Sequence, residues 1–163
     1  MTRNQVLSVE PPRYENQGPL VIAGLEAAFT AEKREQIPQL WQRLQEKCSG
    51  DIAGQCDRRR YGVIRNSEES PGFRYLAGVQ ISHSAPVPTD LHSVNLPAAR
   101  YAVFTHRQHV GKLFTTMCAI YRDWLPHAEV SLADEPCFEL YGEDFDPNTG
   151  LGLIEIWLPI IEE

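Results

Sequence analysis

The sequence predicts an α+β fold in which two pseudo-symmetric β-α-β-β modules form one antiparallel sheet. We expect two main helices on one face of the sheet and a central cleft between them. Three observations lead to this prediction: the order of strand-like and helical segments, a proline-containing linker near the middle, and short matches between the halves. Units of this kind can join edge to edge, and a cleft between modules is a favoured ligand site.

Residues 1–12 are polar and are predicted to form an N-terminal arm, and residues 13–163 a single domain. Within the domain, module one is predicted at about 13–82, a linker at 83–91 and module two at about 92–161. The linker HSAPVPTDL holds two prolines and has no hydrophobic periodicity.

Module one begins with PLVIAGLEAAF at 19–29, which is predicted to be a buried strand or strand pair. A helix is predicted from about Ile37, because Pro38 is tolerated only in a first helical turn. Its apolar stripe contains Ile37, Leu40, Trp41, Leu44 and Cys48. Two further strands are predicted at 60–66 and 73–82, on either side of the turn signal Ser-Pro-Gly.

Module two begins with SVNLP and with ARYAVFTHR at 99–107, which predict a strand pair or one bent strand. A second helix is predicted from about Gly111 until Pro126 stops it. Its shared apolar face contains Leu113, Met117, Ile120, Tyr121 and Trp124. We expect Tyr121 and Trp124 to lie in the core. The last two strands flank the turn DPNTG at 146–150.

The two halves also match in short stretches, which indicates a decayed internal duplication. A Phe-Thr pair precedes each predicted helix. At an offset of 80 residues, Leu40-Trp41 corresponds to Ile120-Tyr121, and Tyr61-Gly62 corresponds to Tyr141-Gly142.

Composition narrows the possible partners and the location. The chain has 42% hydrophobic and 23% charged residues and a net charge of −7, the profile of a soluble globular domain. Direct nucleic-acid binding usually needs a basic face. The one basic cluster, Arg58-Arg59-Arg60, stands beside Asp57 and is predicted to be a solvated strand edge. No secretory signal and no apolar run of roughly 18 residues is present, so a cytoplasmic protein is expected.

No metal or cofactor site is predicted. The four cysteines form no C-x-x-C pair and are expected to be buried reduced thiols. His106 and His109 form an H-x-x-H motif, but no nearby cysteine or carboxylate completes a metal set. The sequence also lacks G-x-S-x-G and a phosphate-binding glycine loop.

Glu139 is the conspicuous residue of the strand CFELY at 137–141, which is otherwise apolar. By strand alternation, Cys137, Glu139 and Tyr141 share one face, and Phe138 and Leu140 share the other. Alternation alone favours a solvent-exposed Glu139 above a Phe/Leu core, because carboxylates are mostly exposed.

Several motifs resemble those of the GyrI-like small-molecule-binding domains, the effector-binding domains attached to AraC-type and MerR-type regulators. They are GFRYLAGVQIS, LPAARYAVFTHR, IYRDWLP, FELYGEDFDPNTG and IEIWLPI, and the resemblance covers about residues 13–161. It implies a pair of β-α-β-β modules around a hydrophobic cleft. It leaves open whether the chain is a mobile-cassette member of the family.

The resemblance implies a ligand site built on Glu139. Family members bind lipophilic, often cationic compounds, and a cleft glutamate followed two residues later by an aromatic meets the positive charge; here these are Glu139 and Tyr141. The resemblance therefore implies that Glu139 lies in the cleft and not on the surface. Candidates for the aromatic walls are Trp41, Tyr75 and Trp157. Trp157 shares a strand face with Glu155, and Ile154, Ile156 and Leu158 are expected to face the core.

The first hypothesis for function is a binding module for lipophilic, cationic drugs or metabolites that senses or sequesters them. No helix-turn-helix is predicted, so DNA binding by the chain itself is not expected. An alternative is a hydrolase of strained electrophiles, with Glu139 as general base and Tyr141 or another cleft tyrosine orienting the substrate. A third is protein interaction, such as inhibition of DNA gyrase. The sequence decides neither the ligand nor the oligomeric state.

Overall fold

The computed structural model describes residues 9–47, 52–66 and 72–162. The described residues form one nine-stranded sheet and two main helices, α1 (Ile37–Lys47) and α2 (Leu113–Ala119). The α2 helix continues as a π-helical segment (Ile120–Trp124). The strands are β1 (Arg13–Gln17), β2 (Leu20–Phe29), β3 (Arg60–Asn66), β4 (Phe73–Ile81), β5 (His92–Leu96), β6 (Ala99–His106), β7 (Val130–Leu132), β8 (Cys137–Tyr141) and β9 (Ile154–Glu162).

The sheet is antiparallel, with the order β1-β6-β9-β8-β3-β4-β2-β5, and β7 pairs with the C-terminal end of β9. Its centre is the pair of β3 and β8, where the two modules meet. Outward from this centre, one half contains β3, β4 and β2 of module one, and the other half contains β8, β9 and β6 of module two. In each half these are the second, third and first strands of a β-α-β-β unit. The predicted α+β fold with two similar modules is therefore confirmed.

The edge strands are exchanged between the halves. Strand β1 pairs with β6, in the half that otherwise holds module two, and β5 pairs with β2, in the half that holds module one. The expected pairing of SVNLP with the following strand is therefore wrong. Val94 and Leu96 of β5 instead join the apolar cluster that contains Leu20 and Ile22 of β2, and burial of these side chains favours that edge.

Both helices lie on one face of the sheet, as predicted. Leu40 and Leu44 of α1 belong to the same buried cluster as Tyr75 of β4. Leu113 and Ile120 from the α2 region pack with residues of β6 and β9 such as Ile156. The strand register places these sheet residues on one face, which we call the helix face.

The expectation that Tyr121 and Trp124 both lie in the core holds for only one of them. Trp124 is buried, and its ring packs edge-on against Phe104 at 4.9 Å between centroids. Tyr121 is 40% exposed. Both residues belong to the π-helical segment, where an i→i+5 pattern changes the spacing of side chains. The 3.6-residue period used for the prediction therefore fails at Tyr121.

One sequence match between the halves, that of Tyr61-Gly62 with Tyr141-Gly142, is not reproduced in the structure. Tyr61 pairs with Leu140 across the central strand pair, so Tyr61 and Tyr141 point to opposite faces. Their match in sequence therefore does not reflect equivalent positions in the sheet. Residues 1–8 of the predicted arm and Cys48 of the predicted stripe lie outside the described residues, and Val9 is buried against the α2 core.

Candidate functional site

Glu139 lies near the centre of the sheet on the helix face. It occupies the middle of β8, opposite Gly62 of β3 on one side and Ile156 of β9 on the other. Its exposed fraction is only 7%. The solvent-exposed position that alternation alone favours is therefore wrong, because the helices cover this face and a second apolar cluster, which contains Phe138, occupies the other.

Two tyrosine hydroxyls donate hydrogen bonds to the same oxygen of Glu139. Tyr75 of β4 donates to Oε1 at 2.8 Å, and Tyr141 of β8 donates to it at 2.9 Å. The Tyr75 hydroxyl also accepts a hydrogen bond of 3.1 Å from Nε1 of Trp41 on α1. Four of the five residues predicted for the ligand site, Trp41, Tyr75, Glu139 and Tyr141, thus form one connected cluster.

The second carboxylate oxygen of Glu139 has no such partner. Among the residues that the structure describes, no hydrogen bond or ion pair reaches Oε2. A buried charge without a full set of partners is costly. The cluster therefore holds a fixed carboxylate with one oxygen saturated and one left to interact with a further positive or hydrogen-bonding group.

Burial raises the pKa of Glu139 above its ordinary value, and the hydrogen bonds from Tyr75 and Tyr141 oppose that rise. The hydroxyls stabilise the carboxylate because they donate to its charged form, whereas desolvation favours the neutral acid. Burial together with the charge of Glu139 raises the pKa of both tyrosines, which stay protonated as donors.

Trp41 closes the site from the side of α1. Its indole ring packs edge-on against Tyr141 at 5.6 Å and against Tyr75 at 6.3 Å between centroids. Trp41 is also partly buried against the apolar clusters of both halves. It therefore bridges the two modules and contacts both tyrosines that donate to Glu139.

Gly62 makes this arrangement possible, and sequence reasoning missed it. A Cβ atom at this position would stand 2.5 Å from Cζ of Tyr75 and 3.0 Å from Oε1 of Glu139. The side chain of Tyr75 crosses the backbone of β3 at this glycine to reach Glu139. The available signal was an isolated glycine inside a strand pattern, which often marks a close approach of another group.

Trp157 lies away from the cluster, which corrects its expected place in the cleft. It pairs with Phe138, so it points to the opposite face from Glu139. There its ring stacks on Phe138 at 5.3 Å, and its Nε1 donates to Oε1 of Glu155 at 3.0 Å. The expectation that Ile154, Ile156 and Leu158 face the core is confirmed, since all three are buried on the helix face.

No second candidate site is found at the histidine motif or as a metal-ligand cluster in the described part of the chain. No group of three or more metal-ligating side chains occurs there. His106 is buried, with Nδ1 bonded to Thr116 at 2.8 Å and Nε2 bonded to the carbonyl oxygen of His109 at 2.9 Å. Both of its nitrogens therefore have partners. No helix among the described residues is long and apolar enough to cross a membrane.

The fold and the cluster together define a duplicated β-α-β-β domain with a buried carboxylate between its modules. The sequence matches the family of integron-associated effector binding proteins, Cass2, over residues 17–160. Since this match covers most of the chain, the chain belongs to that family. The resemblance to effector-binding domains of regulators is thereby confirmed.

Known relatives fit this assignment. The transcriptional regulator BrlR of Pseudomonas aeruginosa is 29% identical over 144 residues, which is 85% of this chain and 51% of BrlR. The chain thus spans about half the length of this curated relative.

Solved structures share the fold. That of SAV2435 bound to tetraphenylphosphonium has a TM-score of 0.71 at 21% identity, covering 93% of this chain and 94% of SAV2435. The integron cassette protein VCH_CASS2, from the mobile metagenome of Vibrio cholerae, has a TM-score of 0.67 at 13% identity, covering 94% and 97%. The EcmrR C-terminal domain has a TM-score of 0.61 at 11% identity, covering 93% and 97%.

Proposed function

We propose that this protein binds lipophilic cations, with Glu139 as the group that meets the positive charge. The observation that carries the proposal is the buried carboxylate whose Oε2 has no partner among the described residues. SAV2435, which has the same fold, binds the lipophilic cation tetraphenylphosphonium. Membership of an effector-binding family agrees with capture of a small molecule for sensing or sequestration.

The electrostatics favour cations over neutral and anionic compounds. A positive group beside Oε2 supplies the partner that the carboxylate lacks, and a low-dielectric surrounding strengthens that pairing. The rings of Trp41, Tyr75 and Tyr141 add cation–π contacts of about 0.5–2 kcal/mol each. These contacts depend on the charge and the aromatic surface of the ligand and not on a pattern of hydrogen bonds. The site therefore suits several cations of different shape.

Access to Glu139 requires movement of Trp41. The indole packs against the two tyrosines that donate to Glu139, and one hydrogen bond to Tyr75 and edge-on ring contacts hold it there. A lipophilic cation can replace these contacts by placing one of its aromatic rings between Trp41 and Tyr141. Trp41 then becomes one wall of the occupied site, so that binding alters its fluorescence.

Tetraphenylphosphonium affinity is expected to fall at low pH, and isothermal titration calorimetry between pH 4 and 8 measures this. The pKa of Glu139 is raised, so the carboxylate is charged above that pKa and neutral below it. The affinity should be constant above the pKa and fall by up to about tenfold per pH unit below it. Tetraphenylphosphonium itself does not titrate.

Titration of the groups that neighbour Glu139 does not cause the same fall in affinity at low pH. Burial and the charge of Glu139 raise the pKa of Cys137 to about 12, and Tyr75 and Tyr141 also titrate above their ordinary range. Glu139→Gln provides the matched control and should bind weakly with a flat pH profile. A flat profile in the wild-type protein would contradict the assignment of Glu139 as the charged group.

A further inference from the structure

A groove of about 320 Å³ opens on the same face of the sheet as Glu139. It lies where β8 begins, and its walls include Ile64 of β3, Leu132 of β7, Cys137 of β8 and Leu158 of β9. The register places Leu132 opposite Ile160 and Ile156 opposite Glu139, so these side chains share the helix face. Cys137 precedes Glu139 by two residues and therefore points the same way.

Tyr121 stands between α2 and this groove. It lies in the π-helical segment and lines the groove together with Cys137. Single π-helical turns often occur at functional sites. Here the altered spacing places a half-exposed aromatic ring in the lining of a groove whose wall includes Cys137, two residues from Glu139.

The groove has aliphatic walls and a polar lining that contains both acidic and basic side chains. Ile64, Leu132 and Leu158 provide the aliphatic walls, and Arg65, Asp134 and Glu135 also line it. Arg65 is paired with Glu26, so that the carboxylates of Asp134 and Glu135 disfavour an arm that ends in a carboxylate or phosphate. The aliphatic walls favour an apolar arm.

We propose that this groove is a second compartment of the Glu139 site and that it holds a flexible apolar arm of the ligand. The protein's preferred ligands are then elongated amphipathic cations, with the charge at Glu139 and a hydrocarbon arm running past Tyr121 and Cys137. This inference rests on the proposed function, since it assumes that a cation is seated at Glu139. The volume is sufficient for a six-carbon chain, because it equals that of about ten water molecules and a methylene group is no larger than a water molecule.

The test compares methyltriphenylphosphonium with hexyltriphenylphosphonium by isothermal titration calorimetry. The hexyl compound should bind about thirtyfold more tightly, the factor expected if roughly half of its five additional methylene groups are buried. Leu132→Trp fills the groove and should reduce this ratio to below about threefold without changing the affinity for the methyl compound. Ile161→Trp is the matched control, because Ile161 is exposed on the same strand pair but faces the other side of the sheet.

The outcomes separate the groove from the charge site. A thirtyfold ratio that survives in Leu132→Trp, or a wild-type ratio near one, would overturn the groove proposal while cation binding stands. A ratio that Leu132→Trp removes, combined with binding of both compounds that Glu139→Gln leaves unchanged, supports the groove and overturns the role of Glu139. If neither compound binds the wild-type protein, both proposals fail.

Discussion

Replacing Glu139 with glutamine is expected to weaken tetraphenylphosphonium binding by about 100-fold. The glutamine keeps a carbonyl oxygen that can accept from Tyr75 and Tyr141, so the cluster retains its shape. It loses the negative charge, and removal of one member of a buried charge pair typically costs 2–5 kcal/mol. A hundredfold loss corresponds to about 2.7 kcal/mol. Calorimetric titration of both proteins at neutral pH measures the difference.

Glu155→Gln is the matched control for this substitution. Glu155 is also a largely buried carboxylate on a neighbouring strand, but it points to the opposite face and pairs with Arg13 at 2.9 Å. Its substitution should leave the affinity for tetraphenylphosphonium within about twofold of wild type. If both substitutions weaken binding equally, the loss reflects the net charge of the protein rather than contact at Glu139.

Gly62→Ala is expected to reduce the free energy of unfolding by about 3 kcal/mol, at the upper end of the usual cost of overpacking a core. The added methyl group would collide with the ring of Tyr75 and approach Oε1 of Glu139. Tyr75 is fully buried and cannot swing aside without displacing its neighbours. For a domain of this size the loss corresponds to a decrease in Tm of about 6–12 °C. Thermal unfolding followed by circular dichroism measures it.

Gly18→Ala serves as the comparison, since a Cβ at Gly18 would meet nothing within 4 Å. Its Tm should stay within about 2 °C of wild type. The cost of Gly62→Ala should also shrink in a Tyr75→Leu background, because the colliding ring is then absent. An undiminished cost in that background would show that the strain lies elsewhere in β3.

Local patterns in the sequence were sufficient to predict most of the fold. The positions of α1 and of strands β3, β4, β6, β8 and β9 follow from hydrophobic periodicity, and Pro38 defines the start of α1. The exchange of β1 and β5 between the halves could not be predicted this way. Such pairing is decided by which sheet edge buries Val94 and Leu96, and that is a property of the assembled sheet.

The candidate site, too, could be predicted from the sequence only in part. Alternation alone placed Glu139 at the surface, and only the resemblance to a family of cleft-binding domains placed it inside. Trp157 was misplaced because strand alternation gives two faces but does not say which face the helices cover. Gly62 was overlooked because its role depends on Tyr75, which arrives from the neighbouring strand.

The central claim, that the site recognises positive charge through Glu139, is tested most directly by comparing two ions of the same shape. Tetraphenylphosphonium and tetraphenylborate carry four phenyl groups around a central charge of opposite sign. The wild-type protein is expected to bind the cation at least about 100-fold more tightly at neutral pH, because Glu139 attracts one ion and repels the other. Equal affinities, or tighter binding of the borate, would contradict the claim.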